Sequence, residues 1–338
     1  MTTEPVTAQP DLTSGVTCVV FEDGQVSGAP KALTDISEIL NEKGTLVWFD
    51  VVAPKPDDLA LLEQEFHLHP LAVEDAVSAH QRSKIEPYGD YYFIVVHAAT
   101  TSRDQLRLHE LAIFAGRNFL VTVRHNPAYP LDEILKRWES HPEHLHNEAG
   151  YLLYTILDTV VDGYLPVAEM FQERVDSLEE ILFQKSPAQT DILPQIFRMK
   201  KEAQLFRRAA LPMREVLNPL VREDLSLYSH EESLYFRDIY DHAVLVTDQV
   251  DSSRDLVNSA LEIHLSVVAN RQNEVAKQLT VIATIFLPLS FIVGFFGQNF
   301  SWLVDHIGGL GAFTFLGIGT EVVTVVLTLV FFKIRGWF

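Results

Sequence analysis

The sequence predicts an α/β cytoplasmic domain followed by a long stalk helix and two C-terminal transmembrane helices. Three observations predict this fold class. Over residues 16–125, short runs rich in β-branched and aromatic residues alternate with helical segments. Residues 231–287 contain neither proline nor glycine. Two apolar stretches near the C-terminus, 279–298 and 312–332, are each long enough to cross a bilayer.

The N-terminal segment and the charge distribution argue against a signal peptide and against nucleic acid as a partner. Residues 1–15 are polar and lack the basic and apolar regions of a signal peptide, so we predict a disordered tail there. Residues 271–338 hold only four basic and three acidic side chains, so the formal net charge of −20 comes from the preceding residues. Because an acidic surface attracts cations and repels nucleic acid, we expect no nucleic acid among the partners; the charge by itself indicates only a soluble acidic domain.

The sequence also argues against several classes of protein. Cys18 is the only cysteine, so one subunit has no disulfide framework and no cysteine-based zinc site. The chain lacks the Gly-x-x-x-x-Gly-Lys loop of ATP-driven pumps. Its acidic and histidine residues form no recognisable catalytic constellation. We therefore expect neither an enzyme nor an organic cofactor.

The first domain is predicted over residues 16–130 as strands interleaved with helices. Runs at 57–66 and 71–79 have a helical pattern, each opened by Pro or Asp. Strands are predicted at 16–21, 45–51, 91–96, 111–115 and 118–123. This alternation indicates a compact α/β domain with a mostly buried sheet.

Residues 131–230 are predicted to be the helical part of the cytoplasmic domain. Apolar residues recur at helical spacing over 151–182, and the segment 186–191 interrupts the pattern. A second helix then runs to the region between Pro212 and Pro219. The two helices could pair as an antiparallel hairpin.

The stalk helix is predicted over 231–278 and continues into the first span. Without proline or glycine, the stretch 231–287 can form a helix about 85 Å long at roughly 1.5 Å per residue. Transmembrane helix 1 covers 279–298, an extracytoplasmic loop covers 299–311, and transmembrane helix 2 covers 312–332, which Glu321 interrupts.

The positions of the basic residues predict the orientation in the membrane. Arg271 and Lys277 precede the first span, and the basic tail 333–338 follows the second with Lys333 and Arg335. The connecting loop has no Lys or Arg. Since basic residues favour the cytoplasmic side, we expect a multi-pass protein of the cell membrane with both termini in the cytoplasm.

A seam of small and polar side chains runs along the stalk helix and the first span. Its members are spaced alternately three and four residues apart, a period of 3.5 that keeps them on one face. They are Asn273, Ala276, Thr280, Ala283, Leu287, Ser290 and Gly294. The seam suits either a tight helix–helix interface or the wall of a water-filled path.

Polar groups on the seam favour the water-filled path. The side chains of Asn273, Thr280 and Ser290 would be costly against lipid. Asn299 follows at the mouth of the span, where a ring of amides could bind the water shell of Mg²⁺. In a ring of subunits, Leu287 would form an apolar constriction that gates by dewetting. A path of this kind requires several copies of the chain.

Several segments resemble the CorA family of magnesium and divalent-cation transporters. The family hallmark of a Lys-x-Leu-Thr stretch, a proline in the first span and a Gly-Met-Asn motif corresponds here to Lys277, Leu279, Thr280 and Pro288, followed by Phe-Gly-Gln-Asn-Phe at 296–300. Further matches lie at 69–95, 152–164 and 236–250. The resemblance covers residues 45–338.

The resemblance implies a funnel-shaped homopentamer that carries Mg²⁺, and also Co²⁺, and that cytoplasmic Mg²⁺ regulates. It implies a selectivity filter at Gly297, Gln298 and Asn299, with the seam lining the path inward. It also implies a regulatory metal site between subunits, built from Glu74, Asp75 and Asp238.

Two departures from the family pattern leave alternative functions open. Gln298 stands where the family has methionine, which puts the ion preference in doubt. Ala276 also replaces a usual methionine, which shifts the expected gate to Leu287 and Leu279. Besides Mg²⁺ influx, which we favour, the chain could be a proton-coupled Zn²⁺ transporter or a membrane-tethered metal sensor that does not conduct.

Overall fold

The computed structural model describes residues 15–337 with gaps at 23–24, 29, 31, 79–80, 104, 127–128, 130–133, 135, 139–148, 184–191 and 223–227. The chain divides into two compact units, Met1–Leu261 and Glu262–Phe338. The predicted tail, apart from Gly15, and the predicted break at 186–191 lie outside the described residues.

A seven-stranded sheet forms the centre of the first unit. Its strands are β1 (Val16–Glu22), β2 (Gln25–Gly28), β3 (Thr45–Val52), β4 (Lys84–Tyr88), β5 (Tyr91–Ser102), β6 (Gln105–Gly116) and β7 (Phe119–Arg124). The strand order is β2-β1-β3-β7-β6-β5-β4. The β3–β7 pair is parallel and the other pairs are antiparallel.

The five predicted strands are confirmed, and the sheet has two more at its edges. Strands β5 and β6 form a hairpin of two 12-residue strands, longer than predicted. The edge strand β2 has four exposed residues and no apolar alternation. The edge strand β4 contains Pro87, which an edge position tolerates because one side of the strand needs no ladder hydrogen bond. Neither edge strand has the apolar pattern on which strand prediction depends.

Helices cover both faces of the sheet. They are α1 (Ile36–Ile39), α2 (Pro56–Glu65), α3 (Pro70–Val77), α4 (Ala149–Asp162), α5 (Tyr164–Phe183), α6 (Leu193–Ala210) and α7 (Met213–Val221). On β3, Val47 and Phe49 belong to the core under α2 and α3, whereas Trp48 belongs to the larger core under α4 to α7. The central strand is therefore buried on both faces, which explains its continuous apolar run.

The predicted helix over 151–182 is two helices that meet at Gly163. A Cβ atom at this position would lie 3.2 Å from the carbonyl oxygen of Ala99 on β5. The next residue, Tyr164, is fully buried and donates a 2.5 Å hydrogen bond to the carbonyl oxygen of His97. Glycine therefore lets the chain approach the sheet where α4 ends and α5 begins.

A single helix, α8 (His230–Phe296), spans 67 residues. Ser229 and Glu232 form a capping box at its start, since Ser229 N–H donates to Glu232 Oε2 (2.6 Å) and Glu232 N–H donates to Ser229 Oγ (3.3 Å). Buried residues recur from Phe236 to Ala260 at spacings of three and four. The first part of the predicted stalk therefore packs into the core of the first unit.

The second unit contains the end of α8, a short helix α9 (Ser301–His306), and α10 (Leu310–Ile334). The predicted extracytoplasmic loop thus contains a helix. Within α10, the segment Phe313–Ile318 is π-helical. Both α8 and α10 contain a stretch long and apolar enough to cross a membrane. The hydroxyls of Thr324 and Thr328 donate to carbonyls one turn earlier (2.7 and 2.8 Å), which satisfies them in an apolar medium.

Candidate functional site

The seven seam residues all lie on α8 and are all exposed. They run along one side of the helix from Asn273 to Gly294 without interruption. The predicted gate residue Leu287 is 72% exposed, and Leu279, at the edge of the seam, is 67% exposed. The second unit therefore leaves the whole seam uncovered.

The opposite side of α8 is partly buried. Between residues 273 and 296, its members are Lys277, Val281, Ile285, Pro288, Leu289 and Ile292. At about 100° per residue, this set lies roughly 150° around the helix axis from the seam. Lys277 Nζ lies 5.7 Å from the centroid of the Trp337 ring, which follows α10. The side of α8 that approaches the second span is thus not the seam.

Hydrogen bonds prepare the hydroxyl groups near the seam to act as acceptors. Thr280 Oγ1 donates to the carbonyl of Ala276 (2.8 Å), and Thr284 Oγ1 donates to that of Thr280 (2.7 Å). Because each hydroxyl hydrogen is used in this bond, the oxygen lone pairs remain for an external donor or a cation. Hydroxyl oxygens that can accept hydrogen bonds suit the water shell of a cation.

The predicted filter residues follow directly after α8. Gly297 N–H donates to the carbonyl of Val293 (2.9 Å), and Gln298 N–H donates to that of Phe295 (3.3 Å). A Cβ at position 297 would lie 3.0 Å from the carbonyl oxygen of Val293, so a larger residue would strain this turn. Asn299 is exposed, and its side chain makes no hydrogen bond to any other described residue. Its amide is therefore available to an external ligand.

The predicted regulatory carboxylates lie on two helices of the first unit. Glu74 and Asp75 are on α3, and Asp238 is on α8. Asp75 Oδ2 accepts a 2.8 Å hydrogen bond from Lys84 Nζ, which also bonds Glu86. Glu74 and Asp238 are exposed. Within the described part of one chain, these three residues form no metal-sized group.

The structure brings together another set of metal-ligating groups that the sequence analysis missed. Atoms of Asp158 and Asp162 on α4 and of His242 on α8 lie within 4.8 Å of one another. Asp238 lies one helical turn before His242. Both pairs are four residues apart along a helix, and this spacing is the signal that could have revealed them.

The guanidinium group of Arg137 bonds both aspartates of this cluster. Arg137 donates to Asp158 Oδ2 (2.7 Å) and to Asp162 Oδ2 (2.8 Å). Burial raises the pKa of the Asp158 carboxyl, and the charges of Asp162 and Asp238 act in the same direction. A divalent cation would relieve this repulsion, in competition with Arg137.

Comparison with known proteins gives one consistent result. The family model described as "CorA-like Mg2+ transporter protein" matches residues 43–333. The cobalt/magnesium transport protein CorA of Thermotoga maritima is 31% identical over 310 residues, covering 90% of this chain and 87% of that protein. The Bacillus subtilis protein YfjQ is 32% identical over 291 residues, covering 86% and 89%.

A solved structure has the same fold. The CorA magnesium transporter of Methanocaldococcus jannaschii superposes with a TM-score of 0.75 at 21% sequence identity. The match covers 95% of this chain and 98% of that one. An α/β soluble domain, a long helix and two C-terminal spans are thus common to both chains.

Proposed function

The chain belongs to the CorA-like Mg²⁺ transporter family, and from this premise we propose that it forms a homopentameric Mg²⁺ influx channel, with Co²⁺ as a second cargo. As a member, it is a divalent-metal transporter of the cell membrane with its soluble domain and both termini in the cytoplasm, and it is not an enzyme. The observation that carries the proposal is the exposed seam on the side of α8 away from the partly buried face.

The seam requires further copies of the chain. One helical hairpin cannot enclose water, and polar groups such as Asn273, Thr280 and Ser290 are unfavourable against lipid. A ring of subunits with the seams turned inward gives each of these groups water or an ion as a partner. The large apolar neighbours, among them Phe286 and Phe291, then face lipid and adjacent helices.

The mouth of this path is suited to a hydrated ion. Mg²⁺ dehydrates reluctantly, so a filter that contacts its water shell selects it without removing the shell. The amide of Asn299 supplies an oxygen for this contact, and Gly297 and Gln298 supply the backbone turn that presents it. Deeper in the path, rings of Leu287 and Leu279 form the apolar gate.

Regulation by cytoplasmic Mg²⁺ follows from carboxylates placed between subunits. Glu74 and Asp75 of one subunit and Asp238 of the next would repel one another until Mg²⁺ neutralises them. The ion competes for Asp75 with its present partner, Lys84. The bound ion holds the closed state, so the pore opens when internal Mg²⁺ falls.

A paired substitution tests this regulation. We expect Asp75→Ala with Asp238→Ala to weaken the inhibition of influx by internal Mg²⁺, measured as the concentration that halves the flux. The matched control, Asp57→Ala with Asp241→Ala, removes two exposed carboxylates from α2 and α8 and should leave that concentration unchanged. Unchanged inhibition in the first variant would reject the regulatory site.

Ion flux into liposomes tests the transport proposal itself. The membrane potential supplies about 2.3 kcal/mol per charge per 100 mV, or about 4.6 kcal/mol for a divalent ion, so influx needs no other driving force. We expect Mg²⁺ influx that follows the potential and ignores a pH gradient. Because Gln298 departs from the family motif, Zn²⁺ flux driven by the pH gradient is the second candidate. Binding without flux of any of the three ions, Mg²⁺, Co²⁺ and Zn²⁺, would indicate a sensor.

A further inference from the structure

A cavity of about 960 Å³ lies in the first unit, between the sheet and the end of α6. Its walls come from β5 and β6, from the end of β7 and the residues that follow it, from α6 and the two residues after it, and from residues 81–82, which precede β4. The cavity shares no residue with the seam, with the filter or with the group of Asp158, Asp162 and His242 (the Asp158 cluster). Its volume is near the upper end of the range of small-molecule sites.

The charged side chains that line this cavity are mostly basic, unlike those of the chain as a whole. The chain has a formal net charge of −20. Yet five arginines line the cavity, and among its described lining residues Glu110 is the only carboxylate. The arginines are Arg82, Arg107, Arg124, Arg207 and Arg208. Those guanidinium groups that are not neutralised by a carboxylate would attract an anion to this concave surface.

Three of the five arginines are engaged in ion pairs. Arg124 forms a buried pair with Asp50, and Arg207 Nε donates to Asp251 Oδ1 (2.6 Å). Arg82 pairs with Glu215 (2.9 Å). In contrast, Arg107 and Arg208 are exposed and pair with no carboxylate among the described residues. These two guanidiniums are available to a ligand.

A buried ring nitrogen also lacks a partner. His125 Nε2 is inaccessible to solvent and has no hydrogen-bond partner in the described part of the chain. Buried polar atoms are nearly always bonded, so this nitrogen is an exception. Because the atom has no exposed surface, it does not reach the cavity, and ligand binding there does not depend on it.

The rest of the cavity wall suits the body of an organic molecule. Leu108, Leu111 and Leu211 contribute apolar surface. The His109 ring stacks on Tyr129 with centroids 5.8 Å apart. Burial, and then the charge of Arg107, lower the pKa of His109, which favours the neutral ring. The wall thus presents a flat aromatic and apolar region next to the basic one.

We propose that this cavity binds an organic phosphate of nucleotide size, with its phosphates on Arg107 and Arg208 and its apolar part against the leucines and the His109–Tyr129 stack. Guanidinium groups bond phosphate oxygens in pairs, which favours this ligand over a simple halide. The site goes beyond ion transport and does not depend on whether the chain conducts.

Calorimetry on the full chain in detergent micelles tests the proposal. The buffer is stripped of divalent cations on a chelating resin, and ATP, ADP, adenosine and pyrophosphate are titrated separately. We expect ATP and ADP to bind, adenosine to give no heat, and pyrophosphate to bind more weakly than ATP. Arg107→Gln with Arg208→Gln should weaken ATP binding at least about tenfold, because two charge-assisted contacts are lost.

A matched variant distinguishes binding in the cavity from nonspecific electrostatic attraction of the nucleotide to basic residues elsewhere on the protein. Arg198→Gln with Lys201→Gln removes the same charge from exposed positions of α6 that do not line the cavity, and should leave the affinity within about twofold of the wild type. Equal weakening in both variants, or no ATP binding below about 1 mM, would overturn the proposal. Pyrophosphate binding as tight as ATP binding would overturn the role of the apolar wall.

Discussion

The two units of the chain differ in how many of their apolar side chains they bury. In the first unit, two hydrophobic cores enclose the sheet, and most large apolar residues are buried. In the described part of the second unit, Phe332 is the only buried residue, although both spans are rich in Phe, Leu, Val and Ile. The same residue types therefore form a core in the first unit and an exposed apolar surface in the second.

This difference shows where each unit finds its stability. The first unit removes its apolar surface from water by its own fold. The second unit leaves far more apolar surface exposed than a monomer in water tolerates. In the membrane, lipid covers this surface, and in the proposed oligomer further copies of the chain cover part of it. The seam is the exception, because its small and polar residues are suited to contact with water.

A matched pair of phenylalanine substitutions tests the comparison most strongly. Phe171 is 2% exposed and stacks on Phe206 at 6.0 Å, whereas Phe291 is 71% exposed and stacks on Phe295 at 6.3 Å. We expect Phe171→Ala to lower the free energy of unfolding by about 3–5 kcal/mol and Phe291→Ala by less than about 1 kcal/mol. Urea unfolding in detergent, followed by tryptophan fluorescence, measures both. Equal losses would mean that another subunit buries Phe291.

Adjacent positions on α8 test the seam. Ser290 belongs to the seam and Phe291 does not. We expect Ser290→Leu to reduce Mg²⁺ flux into liposomes at least about tenfold, since an apolar ring added to those of Leu287 and Leu279 favours dewetting of the path. Phe291→Leu, the control, keeps an apolar side chain outside the seam and should change the flux by less than about twofold. A Ser290→Leu variant with normal flux would show that the seam lies away from the path.

The smallest effect is expected on the exposed surface of the first unit. Asp255 on α8 pairs with Arg254 at 3.0 Å, and its side chain is 68% exposed. Because exposed ion pairs contribute little, Asp255→Asn should change the free energy of unfolding by no more than about 0.5 kcal/mol. The same urea titration checks this. A loss as large as that of a core residue would contradict the assignment of this helix face to solvent.

Much of the fold was predictable because its elements have strong local signals. The central strands are continuous apolar runs, and the absence of proline and glycine over 231–287 predicted the long helix. The edge strands β2 and β4 have no such pattern, since hydrogen bonds to a neighbouring strand define them. Likewise, nothing in the local pattern shows that Ala99 approaches Gly163 and that one predicted helix is therefore two.

The candidate sites also differ in how far the sequence could predict them. The seam and the Asn299 filter depend on spacing within one segment, so the sequence was enough to propose them. The Asp158 cluster and the basic cavity combine residues from distant segments. His242 meets Asp158 only when α8 packs against α4, and Arg107 joins Arg208 only when α6 packs against β6.

By itself, the sequence determined the order of the five central strands and the long helix, the two spans, their orientation and the face of α8 that carries the seam. These properties depend on helical periodicity and on the hydropathy of contiguous residues. Only the tertiary structure decided that the seam lies away from the partly buried side of α8. It also decided that five arginines share one cavity in an acidic protein. Contacts between distant segments arise from packing, which no local pattern contains.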